Sequence, residues 1–233
     1  FMRFAPSENT ADCMRTFWAY VKACGLPRTL YTDRGSVFYD QRGAVTDFGR
    51  AMHDLGIQMI YANSPQARGR VERGNRTHQD RLIKAPRREA ISTIAEANRF
   101  LQHRYLKQHN AHFALPADGL PNVHRQPDPE LNLRDVFCFQ TTRCLRHDFT
   151  ITLNAIYIPI LKGPYASPRP TQRVIVRRYL DDSLHLFSGS QELRHHILPR
   201  KPLPRPMVVP LPGPNHPWRN RPLIGKAKRH DPS

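Results

Sequence analysis

Ala11, Met14, Phe17, Trp18 and Val21 recur at steps of three and four residues, which is the buried stripe of an amphipathic helix. Ser7 offers an N-cap oxygen ahead of it, Glu8 stands in the first turn, and Gly25 and Pro27 are stop signals. Phe17 and Trp18 belong to that stripe rather than to a base-stacking platform. Phe1–Phe4 reads as the end of a strand. Thr29–Thr32 reads as a short strand closed by Asp33-Arg34-Gly35. Phe48, Met52 and Leu55 share one side of a helix predicted over Val45–Leu55, ended by Gly56. Ile57, Met59 and Tyr61 alternate with Gln58, so Gly56–Ala62 is the next strand. Asn63-Ser64-Pro65 is a turn, because the residue before proline avoids helical geometry. A helix follows from about Ala67 to Lys84, since Pro86 cannot lie in its interior. Another covers about Thr93 to His109, with capping-box spacing at Thr93 and Glu96 and an apolar face of Ile94, Ala97, Leu101 and Tyr105. Strand–helix–strand–helix order implies an α/β unit with parallel pairing.

The pattern then changes. Pro, Asn, His and charge dominate Ala111–Arg134, which reads as a linker. Thr141–Arg146, Phe149–Leu153, Ala155–Leu161, Arg173–Tyr179 and Leu184–Ser188 are short apolar runs separated by turns. Asp181-Asp182-Ser183 forms a hairpin loop between the last two. Five short strands in so small a space predict a small all-β barrel. Pro199–Ser233 holds ten prolines and eight Lys or Arg against one Asp, which predicts a disordered cationic tail. The expected organisation is an α/β core over 1–112, a linker over 113–134, a barrel over 135–198 and a basic tail over 199–233.

With 233 residues and 39% hydrophobic content, the chain can bury one ordinary core and one small second unit. A net charge of +17 points to a polyanionic partner, because each phosphate neutralised releases a condensed counterion. A generally soluble basic protein is the bland alternative. Cys13, Cys24, Cys138 and Cys144 form no C-x-x-C pair or zinc-finger spacing, so they read as reduced and structural, in a cytosolic setting. No apolar run is long enough to span a membrane. The chain starts without Met, inside a strand-like run, and so reads as a fragment.

The chemistry on offer is carboxylate chemistry. Phosphodiester transfer uses two divalent cations roughly 3.5–4 Å apart, held by hard carboxylate oxygens that are close in space but not in sequence. Asp33, at the end of a strand, and Glu72, in the first turns of a helix, fit that need with 38 residues between them. The plain alternatives are an Asp-Arg-Gly turn and a Glu72–Arg76 pair along one helix. Asp40 and Asp47 compete as the loop carboxylate, but both fall in a polar stretch and read as solvated. Arg68, Arg70 and Arg73 form a basic collar around Glu72. Arg76, one helical turn on, is placed either to hold a DNA phosphate or to pair with Glu72.

Three segments, Leu30-Tyr31-Thr32-Asp33-Arg34-Gly35-Ser36-Val37-Phe38, Gly56-Ile57 and Asn63-Ser64-Pro65-Gln66-Ala67-Arg68-Gly69-Arg70-Val71-Glu72-Arg73, resemble the integrase catalytic core of insertion-sequence transposases, nearest the ISNCY group. The likeness continues through His109-Asn110-Ala111-His112-Phe113, Phe137-Cys138, Asp148-Phe149-Thr150 and His216-Pro217-Trp218-Arg219. The resemblance implies an RNase H-like fold with an Asp–Asp–Glu triad, followed by an SH3-like barrel. Asp33 matches the second Asp and Glu72 the Glu, as catalytic and metal-binding residues. Magnesium or manganese is then the expected cofactor, DNA the partner, a homo-oligomer the expected assembly and the bacterial nucleoid the setting. No residue here matches the first Asp, which stands on a central strand in that family, so the resemblance implies an N-terminally truncated chain that lacks activity. Ala85-Pro86 ends the Glu72 helix earlier than the family pattern. The barrel and tail read as DNA-contacting or assembly elements, with Arg173, Arg177 and Arg178 as phosphate contacts and Trp218 free to stack or dock. A catalytically dead DNA-binding remnant and a general RNA-binding protein are the rival readings.

Overall fold

A computed structural model describes residues 1–62, 91–114, 122–161 and 168–198, together with Ser64, Gln66, Gly69, 74–76, His78, Gln79, Arg81 and Leu82. Helix α1 (Thr10–Cys24) starts later than predicted. Asn9, not Ser7, is its cap: the Asn9 side chain accepts from the Asp12 N–H at 2.8 Å and donates to Ser7 Oγ at 2.6 Å. Phe1–Phe4 is not a strand. The Phe4 N–H donates to Asn98 Oδ1 at 2.7 Å, and Asn98 Nδ2 donates to the Phe4 carbonyl at 3.1 Å, so a side-chain amide takes the place of a strand neighbour.

Strands β1 (Thr29–Thr32) and β2 (Gln58–Tyr61) pair in parallel, from Thr29 opposite Gln58 to Thr32 opposite Tyr61. Helix α2 (Asp47–Asp54) connects them and is capped by the Thr46 hydroxyl, which accepts from the Gly49 N–H at 3.0 Å. Met14 and Val21 of α1, Phe48, Ala51 and Met52 of α2, and Ile57 before β2 form one buried cluster with Val136 and Phe137. Leu131 and Leu133, partly buried, pack against it, so the end of the segment read as a linker reaches the core. Leu26 and Arg125 exchange backbone hydrogen bonds at 2.7 and 2.9 Å, and the Arg125 guanidinium caps the carbonyls of Leu55 and Gly56. Gly25 makes that approach possible: it adopts φ +88°, and a Cβ there would meet the Arg125 carbonyl oxygen at 2.8 Å.

Helix α3 (Ile94–Phe100) carries the predicted Thr93–Glu96 capping box. It runs through a π-helical turn (Leu101–Tyr105) into α4 (Leu106–Phe113), past the predicted end at His109. The 74–82 stretch docks here. His78 Nδ1 and the Tyr105 hydroxyl lie 2.9 Å apart, the His78 and His109 rings are 4.4 Å apart, and the Arg81 guanidinium covers Phe113. Burial, the facing His109 and Arg81 together hold the His78 pKa below its ordinary value, so this contact favours a neutral ring.

After α5 (Leu133–Val136), six strands follow: β3 (Cys138–Cys144), β4 (Thr150–Leu153), β5 (Ile156–Pro159), β6 (Arg173–Tyr179), β7 (Leu184–Ser188) and β8 (Gln191–Leu193). They form an antiparallel sheet of order β3-β6-β7-β8 and an antiparallel β4-β5 pair. Bridges from Tyr157 to Leu198 and from Ile160 to His195, with the Arg146 N–H on the Thr150 carbonyl, join the two around Leu145, Ile151, Ile158, Val174, Val176, Leu186 and Leu193. The β6–β7 turn is the predicted hairpin, with Asp182 at φ 63° and Asp181 Oδ1 accepting from the Ser183 N–H. β8 went unpredicted because Gln191 and Glu192 leave it one apolar residue.

The two units meet at Arg50, whose guanidinium donates to the Val136 and Cys138 carbonyls and to Asp54. Asp47 Oδ1 accepts from the Gln140 N–H at 3.1 Å. Beside them the Tyr179 hydroxyl donates to Asp135, which also pairs with Arg177 at 3.1 Å. Burial, and then the bond to Asp135, push the Tyr179 pKa up to about 12. A raised pKa means the folded state favours the neutral phenol. Its contribution is complete below the ordinary value of 10.0 and is lost as pH climbs toward about 12. The urea midpoint should therefore fall across that window, and Tyr179→Phe should flatten the fall.

Candidate functional site

Parallel pairing places the C-terminal ends of β1 and β2 at one edge. The Ala62 N–H donates to the Thr32 carbonyl at 2.8 Å, so the chain leaves β2 directly beside Asp33, which follows β1. Asp33 is exposed, and its Oδ1 accepts from the Gly35 N–H at 2.9 Å. The Asp-Arg-Gly turn is thus real, and it fixes the orientation of the carboxylate without neutralising it. Among the described residues no ion pair to Asp33 is formed. The competing carboxylates are otherwise engaged. Asp40 Oδ1 accepts from the Arg42 N–H at 2.6 Å. Asp47 is half-buried and holds the start of β3, so the reading of it as solvated is corrected.

Beside Asp33 the chain builds an aromatic ledge. The Arg34 guanidinium lies 4.9 Å over the Tyr39 ring, and Tyr39 meets Tyr61 edge-on at 5.2 Å. Sequence reasoning missed both tyrosines, since 21 positions separate them and only the β1–β2 register and the 33–43 loop bring them together. On the opposite side of β1 lies a cleft of 700 Å³, lined by Phe4, Phe17, Leu30, Thr32 and Phe38 among others. The Thr32 hydroxyl is buried there without a hydrogen-bond partner. Among the described residues β1 pairs with β2 alone, so its other edge is open to a further strand.

Glu72, Arg68, Arg70 and Arg73 lie outside the described residues, as does Trp218 with the tail. Arg76 is exposed on a helical stretch. A divalent cation takes hard oxygen ligands, and Asp33 supplies that chemistry as one ligand of about six. No group of three His, Cys, Asp or Glu suited to a metal occurs among the described residues. On the second unit, Arg173 is exposed at the start of β6. Arg177 and Arg178 do not serve as predicted. Arg177 pairs with Asp135 and stacks 4.3 Å over Phe187, while Arg178 pairs with Asp182 at 2.7 Å and stacks 4.0 Å over Phe139. Arg177 is engaged at the seam with α5, and Arg178, still 43% exposed, at the β6–β7 turn. All four cysteines are free. No helix among the described residues is long and apolar enough to cross a membrane.

No family model matches the chain. It is 39% identical over 206 residues to a putative transposase, y4bF, of Sinorhizobium fredii, covering 84% of this chain and 44% of that protein. It is 30% identical over 218 residues to the transposase for insertion sequence IS1202 of Streptococcus pneumoniae, covering 84% of this chain and 46% of that protein. Over most of its length, the chain is similar to two transposases. It spans less than half the length of each. Among solved structures, the cryo-EM structure of a simian T-cell lymphotropic virus intasome with a PP2A regulatory subunit overlaps 84% of this chain and 67% of that one, with 15% identity and a TM-score of 0.35. A superposition at that level does not define the fold.

Proposed function

We propose that this chain is part of a transposase of the Asp–Asp–Glu type, of the ISNCY group, which in complete form cuts DNA ends and joins them to target DNA. The observation that carries the reading is the β1–β2 register, which brings Ala62, ten positions before Glu72, to the edge where Asp33 stands. In this reading the first unit is an RNase H-like integrase core and the second an SH3-like barrel. Asp33 and Glu72 hold magnesium or manganese, which when bound polarises the phosphodiester and neutralises its developing charge. Asp33 supplies a carboxylate already aimed by its turn. Arg68, Arg70, Arg73 and Arg76 hold the DNA backbone beside it. A third carboxylate arrives on a strand that pairs with the open edge of β1, where the Thr32 hydroxyl waits beside an apolar cleft. A homo-oligomer on nucleoid DNA follows from the need to hold several DNA segments at once.

A second reading, a DNA-binding remnant without catalysis, is favoured by the single carboxylate that the described residues place at this edge. Strand joining separates the two. The chain, and a version extended by a strand bearing an Asp, are incubated with a 3′-hydroxyl duplex, plasmid DNA and magnesium or manganese. Joined product from the extended version alone, abolished by chelation, is expected. DNA binding with no joining by either leaves the remnant.

A further inference from the structure

α1 presents a stripe to a second cleft, which shares Arg3 with the cleft beside Thr32 and none of its other walls. This cleft of 470 Å³ lies between α1 and the β6–β7 turn, and its walls include Arg3, Arg15, Trp18, Lys22, Arg134 and Asp181. Four cations thus face one carboxylate. That carboxylate is already used, since Arg134 Nη2 holds Asp181 at 2.6 Å. Arg15 is fixed by Asp12 at 2.9 Å and by the Leu180 carbonyl at 2.6 Å. Arg3 and Lys22 are exposed. The Lys22 ammonium sits 5.0 Å over the Trp18 ring, which stacks in turn on Phe137. Trp18 therefore acts as a shelf that holds Lys22 against the cleft.

We propose that this cleft is a second docking surface for the sugar–phosphate backbone of duplex DNA. The inference rests on the strand-joining reading, which requires one protein to hold two DNA partners, and it deepens that reading by placing the second contact away from Asp33. Its walls are cationic and partly braced, which suits phosphate. Phosphate contacts hold a duplex in place without reading its bases, so contact of Lys22 and Arg3 with the backbone alone carries no sequence preference. Lys22 and Arg3 make the phosphate contacts, while Arg15 and Arg134 shape the walls.

The test measures the affinity of a fluorescent 30-base-pair duplex for the chain against salt concentration. The Lys22→Ala, Arg3→Ala pair should lower the salt slope by about 2, at ~0.9 for each phosphate no longer neutralised. The Arg99→Ala, Lys107→Ala pair removes the same charge from the exposed face of α3 and α4, and should leave the slope unchanged. The chain has two tryptophans, so Trp218→Phe leaves Trp18 as the sole emitter. Its emission should shift when duplex is added, as Lys22 moves from the indole to phosphate. Equal slope changes in the two pairs would overturn the site, and so would DNA binding with unaltered Trp18 emission. No binding by the parent chain would sink the DNA reading itself, a separate result.

Discussion

Arg50→Ala is expected to lower the unfolding free energy by about 3–4 kcal/mol, since it leaves two buried carbonyls without donors at about 1–3 kcal/mol each. The acceptors are the backbone oxygens of Val136, 4% exposed, and Cys138, with no exposure. The third partner, Asp54, is 38% exposed and adds little, because a solvated pair on one helix contributes only tenths of a kcal/mol. Asp54→Ala is therefore the control, and should cost under about 0.5 kcal/mol. Arg50→Lys should recover less than half of the loss, because the shorter lysine chain does not carry its ammonium to the point where Nη2 meets both carbonyls and has no second nitrogen for Asp54. Urea titration followed by circular dichroism measures all three. In Arg50→Ala the curve should also split, since the same guanidinium ties α2 to β3, the first strand of the second unit. A single transition displaced by under about 1 kcal/mol would mean that apolar contacts such as Trp18–Phe137 alone hold the units together.

What the sequence disclosed follows from how local each signal is. The stripe of α1, the Thr93–Glu96 box and the Asp181–Ser183 hairpin each sit within a few residues, and each forms as expected. Phe1–Phe4 has strand-like residues but pairs with Asn98, a partner 94 positions away that no pattern announces. The 113–134 segment looked like linker because proline and charge dominate it. Its described part makes long-range contacts: Arg125 on Leu26, His124 on Tyr20, and Leu131 and Leu133 against the core. Charge was the weakest guide. Arg177 and Arg178 stand on a strand where alternation predicts exposure, yet Arg177 pairs with Asp135 of α5 and Arg178 with Asp182 of the β6–β7 turn. At the candidate site, the strand and turn carrying Asp33 were legible. The ledge of Arg34, Tyr39 and Tyr61 was not, because register across a parallel pair is a tertiary property.

Asp33→Asn is expected to reduce strand joining on the order of a thousandfold in the version extended by an Asp-bearing strand, while leaving its melting temperature unchanged. Loss of several kcal/mol of charge stabilisation, taken as ~4 kcal/mol, corresponds to that factor. The geometry makes the substitution clean. Asn keeps an oxygen that accepts from the Gly35 N–H, so the turn after β1 survives while the negative charge is lost. Asp33→Ala removes the turn bond as well, and should lower both activity and stability. Asp40→Asn is the control: it lies in the same loop and bonds the Arg42 N–H in the same way, so activity should hold. Asp33→Cys gives the sharpest readout. A thiolate is a poor partner for magnesium and a better one for manganese, so this variant should be silent with the first and regain part of its activity with the second. A merely structural Asp33 would show no such dependence on the cation. Activity in Asp33→Asn within tenfold of the parent would remove this residue from the site and with it the strand-joining reading.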